Sequence, residues 1–123
     1  MGRHYWGDIG GKFWFAVQPS TDANFFGVEG HTPNYLEYRF DDVEPVNKGI
    51  KKVMDELGYT MKGKLDGFFM NCHTYTPDDI AVCLGVSLVQ AQRYLELYAR
   101  LRLGIKIRDC IVGHGSCSFD AEL

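Results

Sequence analysis

Two groups of residues in this 123-residue chain have types and spacings that could carry chemistry. The first is Cys72-His73 together with His114-Gly115-Ser116-Cys117. A His-x-x-Cys spacing beside glycines suits a zinc ion, which favours imidazole and thiolate ligands. Only the second half of that set has ligand spacing, and the halves lie far apart in the chain. No metal ligand is therefore assigned, and no cofactor is expected. The same loop offers Cys117 as a nucleophile, His114 to take its proton and Asp120 to orient the imidazole. Three suitable side chains are not a triad without geometry, so no catalytic residue is assigned and the chain is read as non-enzymatic. The second group is Ser87, Gln90, Gln92 and Arg93, with Arg100 and Arg102 further on. A glutamine amide can bond adenine bidentately, an arginine can reach guanine or a phosphate, and a serine at a positive helix end can hold a phosphate.

The elements that must position this second group are written plainly in Thr76 to Gly104. Thr76 is an N-cap type, Pro77 suits the first helical position, and Asp78 and Asp79 complement the positive helix end. Gly85 can take the positive φ that ends a helix. Ser87 followed by Gln90 has the spacing of a capping box, and Gly104 is expected to stop the second helix. The segment predicts two capped helices around a Leu84-Gly85-Val86-Ser87 turn. Cys83 falls on the apolar side of the first and is read as a buried thiol.

Ile80, Ala81, Leu84, Gly85, Val86, Ala91 and Tyr94 stand where one DNA-binding scaffold wants aliphatic, small, aliphatic, glycine, aliphatic, aliphatic and apolar residues. In that register residues 76–104 resemble the helix-turn-helix family of DNA-binding proteins. The resemblance implies double-stranded DNA as partner, read by a dimer or by an accessory regulator. Carried over by position, Ser87, Leu88, Val89, Gln90, Gln92 and Arg93 would face the groove. Arg100, Arg102, Lys106 and Arg108 would bind the backbone. Val46–Leu57 would supply a third helix, and Ile105–Ile111 the strand that follows the recognition helix in winged relatives. Leu88 and Val89 depart from the pattern, since polar readers are expected there. They can touch thymine methyls, or they can pack against the chain's own N-terminal sheet.

Charge divides the same way. The formal net charge of −3 speaks mildly against a general nucleic-acid binder. Between Gly85 and Arg108, however, the basic residues are Arg93, Arg100, Arg102, Lys106 and Arg108, and Glu96 is the one acid. The residues leave a second reading open, a protein-interaction module that uses the long helix and exposed aromatics. Leu95, Tyr98 and Leu101 form a second apolar stripe that would suit a symmetry mate in a homodimer.

The rest of the chain predicts fold more than function. Tyr5–Ile9 and Lys12–Gln18 read as strands joined through Gly10-Gly11, and 34–40 as a strand with Leu36, Tyr38 and Phe40 on one face. Pro19–Asn24 reads as a loop, and Val46–Leu57 as an amphipathic helix stopped by Gly58. Tyr59–Thr76 admits a hairpin or a short helix. Gly104–Ile111 alternates and reads as a strand, and Phe119–Leu123 as a terminal strand or tail. The expected class is α+β in a single domain over 1–123. A small aromatic antiparallel sheet would come from residues 1–45, and residues 46–111 would carry the helices. Eight Phe, seven Tyr and two Trp exceed what one face of a small sheet needs, so some are expected at the surface. No signal peptide, spanning segment or myristoylation pattern is read, so an intracellular protein away from membranes is expected.

Overall fold

A computed structural model describes residues 4–12, 18–28, 30, 35–71 and 75–122. Strands β1 (His4–Gly7), β2 (Gly11–Lys12) and β3 (Tyr35–Phe40) precede helices α1 (Val43–Leu57), α2 (Tyr59–Asn71), α3 (Pro77–Leu84) and α4 (Leu88–His114). Strand β4 (Cys117–Glu122) closes the chain, and a 3-10 turn spans Asp22–Phe26. The class is α+β, as expected. Most of the Lys12–Gln18 strand expectation lies outside the described residues, and so do Cys72 and His73.

The sheet runs β2-β1-β4-β3, each neighbour antiparallel. It is not built from the N-terminal half alone. The last strand is central, with Tyr5 opposite Ala121 on one side and Tyr38 opposite Phe119 on the other. Alternation explains what each strand buries: Cys117, Phe119 and Ala121 face the core with Tyr38, Phe40 and Tyr5. The rings of Tyr38 and Phe40 stack on Phe119 at 5.3 and 6.0 Å, and Tyr5 meets it edge-on at 5.7 Å.

Local signals start and stop the helices. Asp42 caps α1 by accepting from the Glu44 N–H at 3.0 Å, and Gly58, at φ 85°, separates α1 from α2. Thr76 and Asp79 form a capping box on α3, Ser87 and Gln90 another on α4, and Gly85 lies between them at φ 71°. Residues 59–71 form a helix rather than a hairpin. Its pattern is hard to read because Tyr59 and Met70 are exposed while Leu65 is fully buried.

Gly104 does not stop α4, and Gly104–Ile111 is not a strand. The helix continues to His114 because Leu103, Ile107, Cys110 and Ile111 form one buried stripe at helical spacing. Gly104 is there because α1, α4 and Phe26 meet. A Cβ on it would stand 2.5 Å from the Phe26 ring, and one on Gly49 would stand 2.7 Å away. Leu95, Tyr98 and Leu101 are buried inside the monomer, so that stripe cannot meet a symmetry mate. They pack with Val53, Leu57, Leu65, Ile80, Leu84 and Ala91 in a helical core. A second core lies under the sheet, and Ile50 touches both.

The Tyr38 hydroxyl ties this framework together by donating to Asn24 Oδ1 at 2.6 Å. Burial, then the nearby Asp22 charge, push its pKa from 10.0 up to about 12. A group whose folded pKa is raised contributes stability below its unfolded value and loses it above. Alkaline destabilisation between pH 10 and about 12 is therefore expected. It will be shallower in Tyr38→Phe, as denaturant midpoints across that window will register.

Candidate functional site

The first two turns of α4 stand clear of the sheet. Leu88 is 50% exposed and Val89 82%, and Ser87, Gln90 and Gln92 are exposed as well. Sheet and 3-10 turn pack instead on the C-terminal half of α4, through Leu103, Ile107, Cys110 and Ile111. Of the two fates open to Leu88 and Val89, packing under the N-terminal sheet does not occur. They line a groove of about 340 Å³ with Pro77, Ala91, Gln92 and Leu95.

The helices that form the groove are capped and packed together. Ile80, Ala81 and Leu84 of α3 and Ala91 of α4 are buried together, with Val86 and Tyr94 packed against them. Ser87 Oγ accepts from the Gln90 N–H at 3.2 Å, and the Ser87 N–H donates to Gln90 Oε1 at 3.2 Å. These two side chains therefore already hold the helix end. Gln92 remains on the open wall.

The cations are differently placed. Arg93 is paired with Glu56 of α1 and, at 3.5 Å, with Glu96. Arg100 donates from Nε to Asp22 Oδ1 at 2.9 Å, and its guanidinium stacks 4.6 Å over the Phe25 ring. Arg102 is half-buried, and its charge bears on Asp66 and Lys106. Arg108 is paired with Asp109 at 3.0 Å. The local basic excess in the sequence is thus offset in space by carboxylates, most of them from other elements. Arg100 turns to the 3-10 segment and Arg102 to α2, so the basic residues do not form one face with Ser87 and Gln92.

Asp22 is the residue that sequence reasoning passes over. Its side chain is 2% exposed, held by Arg100 on one oxygen and by Gln18 Nε2 at 2.8 Å on the other. Gln18 also donates to the Ala99 carbonyl at 3.3 Å. No local signal marks a buried aspartate in a polar loop. A second internal anchor joins α2 to α4: Tyr98 donates to Asp66 Oδ1 at 2.7 Å, and Lys62 pairs with Asp66 at 2.6 Å. Burial opposes ionisation of Asp66, but these partners and Arg102 outweigh it and hold its carboxyl below the ordinary value.

The loop chemistry resolves as follows. Cys117 is fully buried at the start of β4, while Asp120 occupies an alternate position facing away from it. His114 is exposed at the end of α4. The three do not make a triad. Cys83 is only half-buried, its Sγ 3.9 Å from the Lys64 carbonyl. Among the described residues no group of three His, Cys, Asp or Glu could hold a metal ion. Also among them, no helix is long and apolar enough to cross a membrane. Trp6 and Phe25 are exposed aromatics, whereas Phe26, Tyr38 and Phe40 belong to the core.

No family model, no curated protein and no solved structure matches this chain at a significant level.

Proposed function

We propose that this chain is a protein-interaction module whose α3–α4 groove takes a short apolar segment of another protein. The observation that carries the reading is an open apolar groove beside cations already committed to carboxylates. Leu88, Val89 and Pro77 offer exposed aliphatic surface above the buried Leu95, and Gln92 offers one polar contact. Arg93, next in the chain to the groove residue Gln92, faces Glu56 and Glu96. A phosphate approaching it would meet those acids as well.

The size of the groove favours an inserted segment over a flat face. Stable dimers use roughly 20–30 residues a side, and six residues line this groove. A helix laid in a groove needs only a few apolar anchors at helical spacing. Asp78, exposed beside the groove residue Pro77, favours a segment that carries a basic residue next to its anchors.

DNA binding through the same surface is the second reading. The exposed Ser87, Gln92, Leu88 and Val89 at the N-terminus of α4 favour it. Selection from a random peptide library on the immobilised chain separates the two. Peptides with apolar anchors and a basic residue next to them will be enriched, and Leu88→Asp will weaken them by about tenfold or more, as loss of an anchor does. Arg93→Ala will leave them unchanged. The DNA reading wins if random duplex DNA binds instead, with affinity that falls steeply with salt and drops on Arg93→Ala. A concentration-dependent dimer abolished by Leu88→Asp would put a second copy in the groove and overturn the peptide proposal.

A further inference from the structure

A pair of buried thiols lies remote from that groove. Cys110 lies in the last turns of α4 and Cys117 at the first position of β4, joined by a loop that contains Gly115 at φ 86°. Cys110 Sγ is 3.6 Å from the carbonyl of Ser116, the residue before Cys117, and both cysteines belong to the core under the sheet. The two differ in access. Cys117 is fully enclosed beneath the sheet, whereas Cys110 lines an open cavity of about 380 Å³. Lys106 and His114, one helical turn to either side of Cys110, line the same cavity with Asp8 and Asp109.

We propose that Cys110 and Cys117 are a reversible dithiol–disulfide pair, oxidised by hydrogen peroxide that enters through the Lys106–His114 cavity. Cys110 is the attacking thiol because it alone of the pair borders the cavity. Its sulfur attacks the peroxide oxygen, the O–O bond breaks, and water leaves with the thiol proton. The product is a sulfenic acid at Cys110. The Cys117 sulfur then attacks that sulfur, the S–S bond forms, the S–O bond breaks, and a second water leaves with the Cys117 proton. Two thiols lose two electrons, and one peroxide becomes two waters. Burial, and then the neighbouring Cys110 thiol, push the Cys117 thiol pKa upward, in keeping with its enclosure beneath the sheet. The disulfide would staple the end of α4 to the central strand.

The test is limited hydrogen peroxide treatment of the whole chain, alkylation of the remaining thiols and peptide mass spectrometry. The expected product is a Cys110–Cys117 linked peptide, two hydrogens lighter and restored by dithiothreitol, formed before Cys83 is modified. In Cys117→Ser the sulfenic acid at Cys110 persists and is trapped by dimedone. In Cys110→Ser, Cys117 stays unmodified. Should Cys83 or Cys72 oxidise first while both buried thiols stay alkylatable after denaturation, the pair is structural and the proposal fails. The linked-peptide measurement on the unaltered chain decides the matter even if a serine variant does not fold.

Discussion

Replacing Phe26 by alanine will cost about 3–5 kcal/mol, a large fraction of the roughly 5–15 kcal/mol that holds a domain of this size together. The ring is fully buried and wedged between α1 and α4, against Gly49 on one helix and Gly104 on the other. Its removal forfeits the transfer energy of the largest class of side chain and leaves a void between two rigid helices, which cannot close on it without moving the sheet. The same contact predicts the sign of a change from the other side. Alanine is ordinarily better than glycine in a helix by about 1 kcal/mol. At Gly104 it will nevertheless destabilise by about 1–3 kcal/mol, because its Cβ would stand 2.5 Å from the ring. Gly113 is the control: a Cβ there meets nothing within 4 Å, so Gly113→Ala will stabilise. Combining Phe26→Ala with Gly104→Ala will cost less than the sum of the two, since the second methyl enters space the first vacates. Urea midpoints at constant slope report all four changes. A neutral or stabilising Gly104→Ala would show that the helices do not meet as described.

The second large effect is expected at Arg100. Arg100→Met will destabilise by about 3 kcal/mol, toward the lower end for a broken buried pair. Asp22 is 2% exposed and would lose its charged partner, but Gln18 continues to hydrogen-bond it, and Arg100 itself is 26% exposed. The loss of the stack on Phe25 adds a smaller amount. Joining Asp22→Asn to Arg100→Met will recover much of the loss, because the cost lies in the stranded carboxylate rather than in the missing attraction. This pattern also bears on function. An arginine kept for phosphate would weaken nucleic-acid binding on removal and leave stability nearly unchanged. A thermal or denaturant measurement that found Arg100→Met neutral would return Arg100 to the list of free cations and strengthen the DNA reading.

Much of the helical hairpin was legible because its signals are local. Thr76 with Asp79, Ser87 with Gln90, and Gly85 between them act over one turn of backbone, so their spacing in the chain is their spacing in space. Leu88 and Val89 were visible as misfits for a base-reading helix, and they now line the groove. Pro77 and Leu95 were not visible as its other walls, because only the angle at which α3 meets α4 brings them there. The end of α4 was misread for a related reason. Ile105, Lys106, Ile107 and Arg108 alternate over a short window, and the helical stripe through Leu103, Ile107, Cys110 and Ile111 shows only once the core is known.

The residues by themselves determined the α+β class, the capped hairpin and the aromatic inner face of the sheet, since these follow from cap chemistry and from periodicity along the backbone. Tertiary structure alone decided that the last strand lies at the centre of the sheet and that Gly104 is a crossing point. It also decided the fate of the basic run on α4. Arg93 finds its acid 37 positions away and Arg100 finds one 78 away. Coulomb attraction depends on distance in space, and a linear count of charge cannot see which carboxylates the fold will bring alongside.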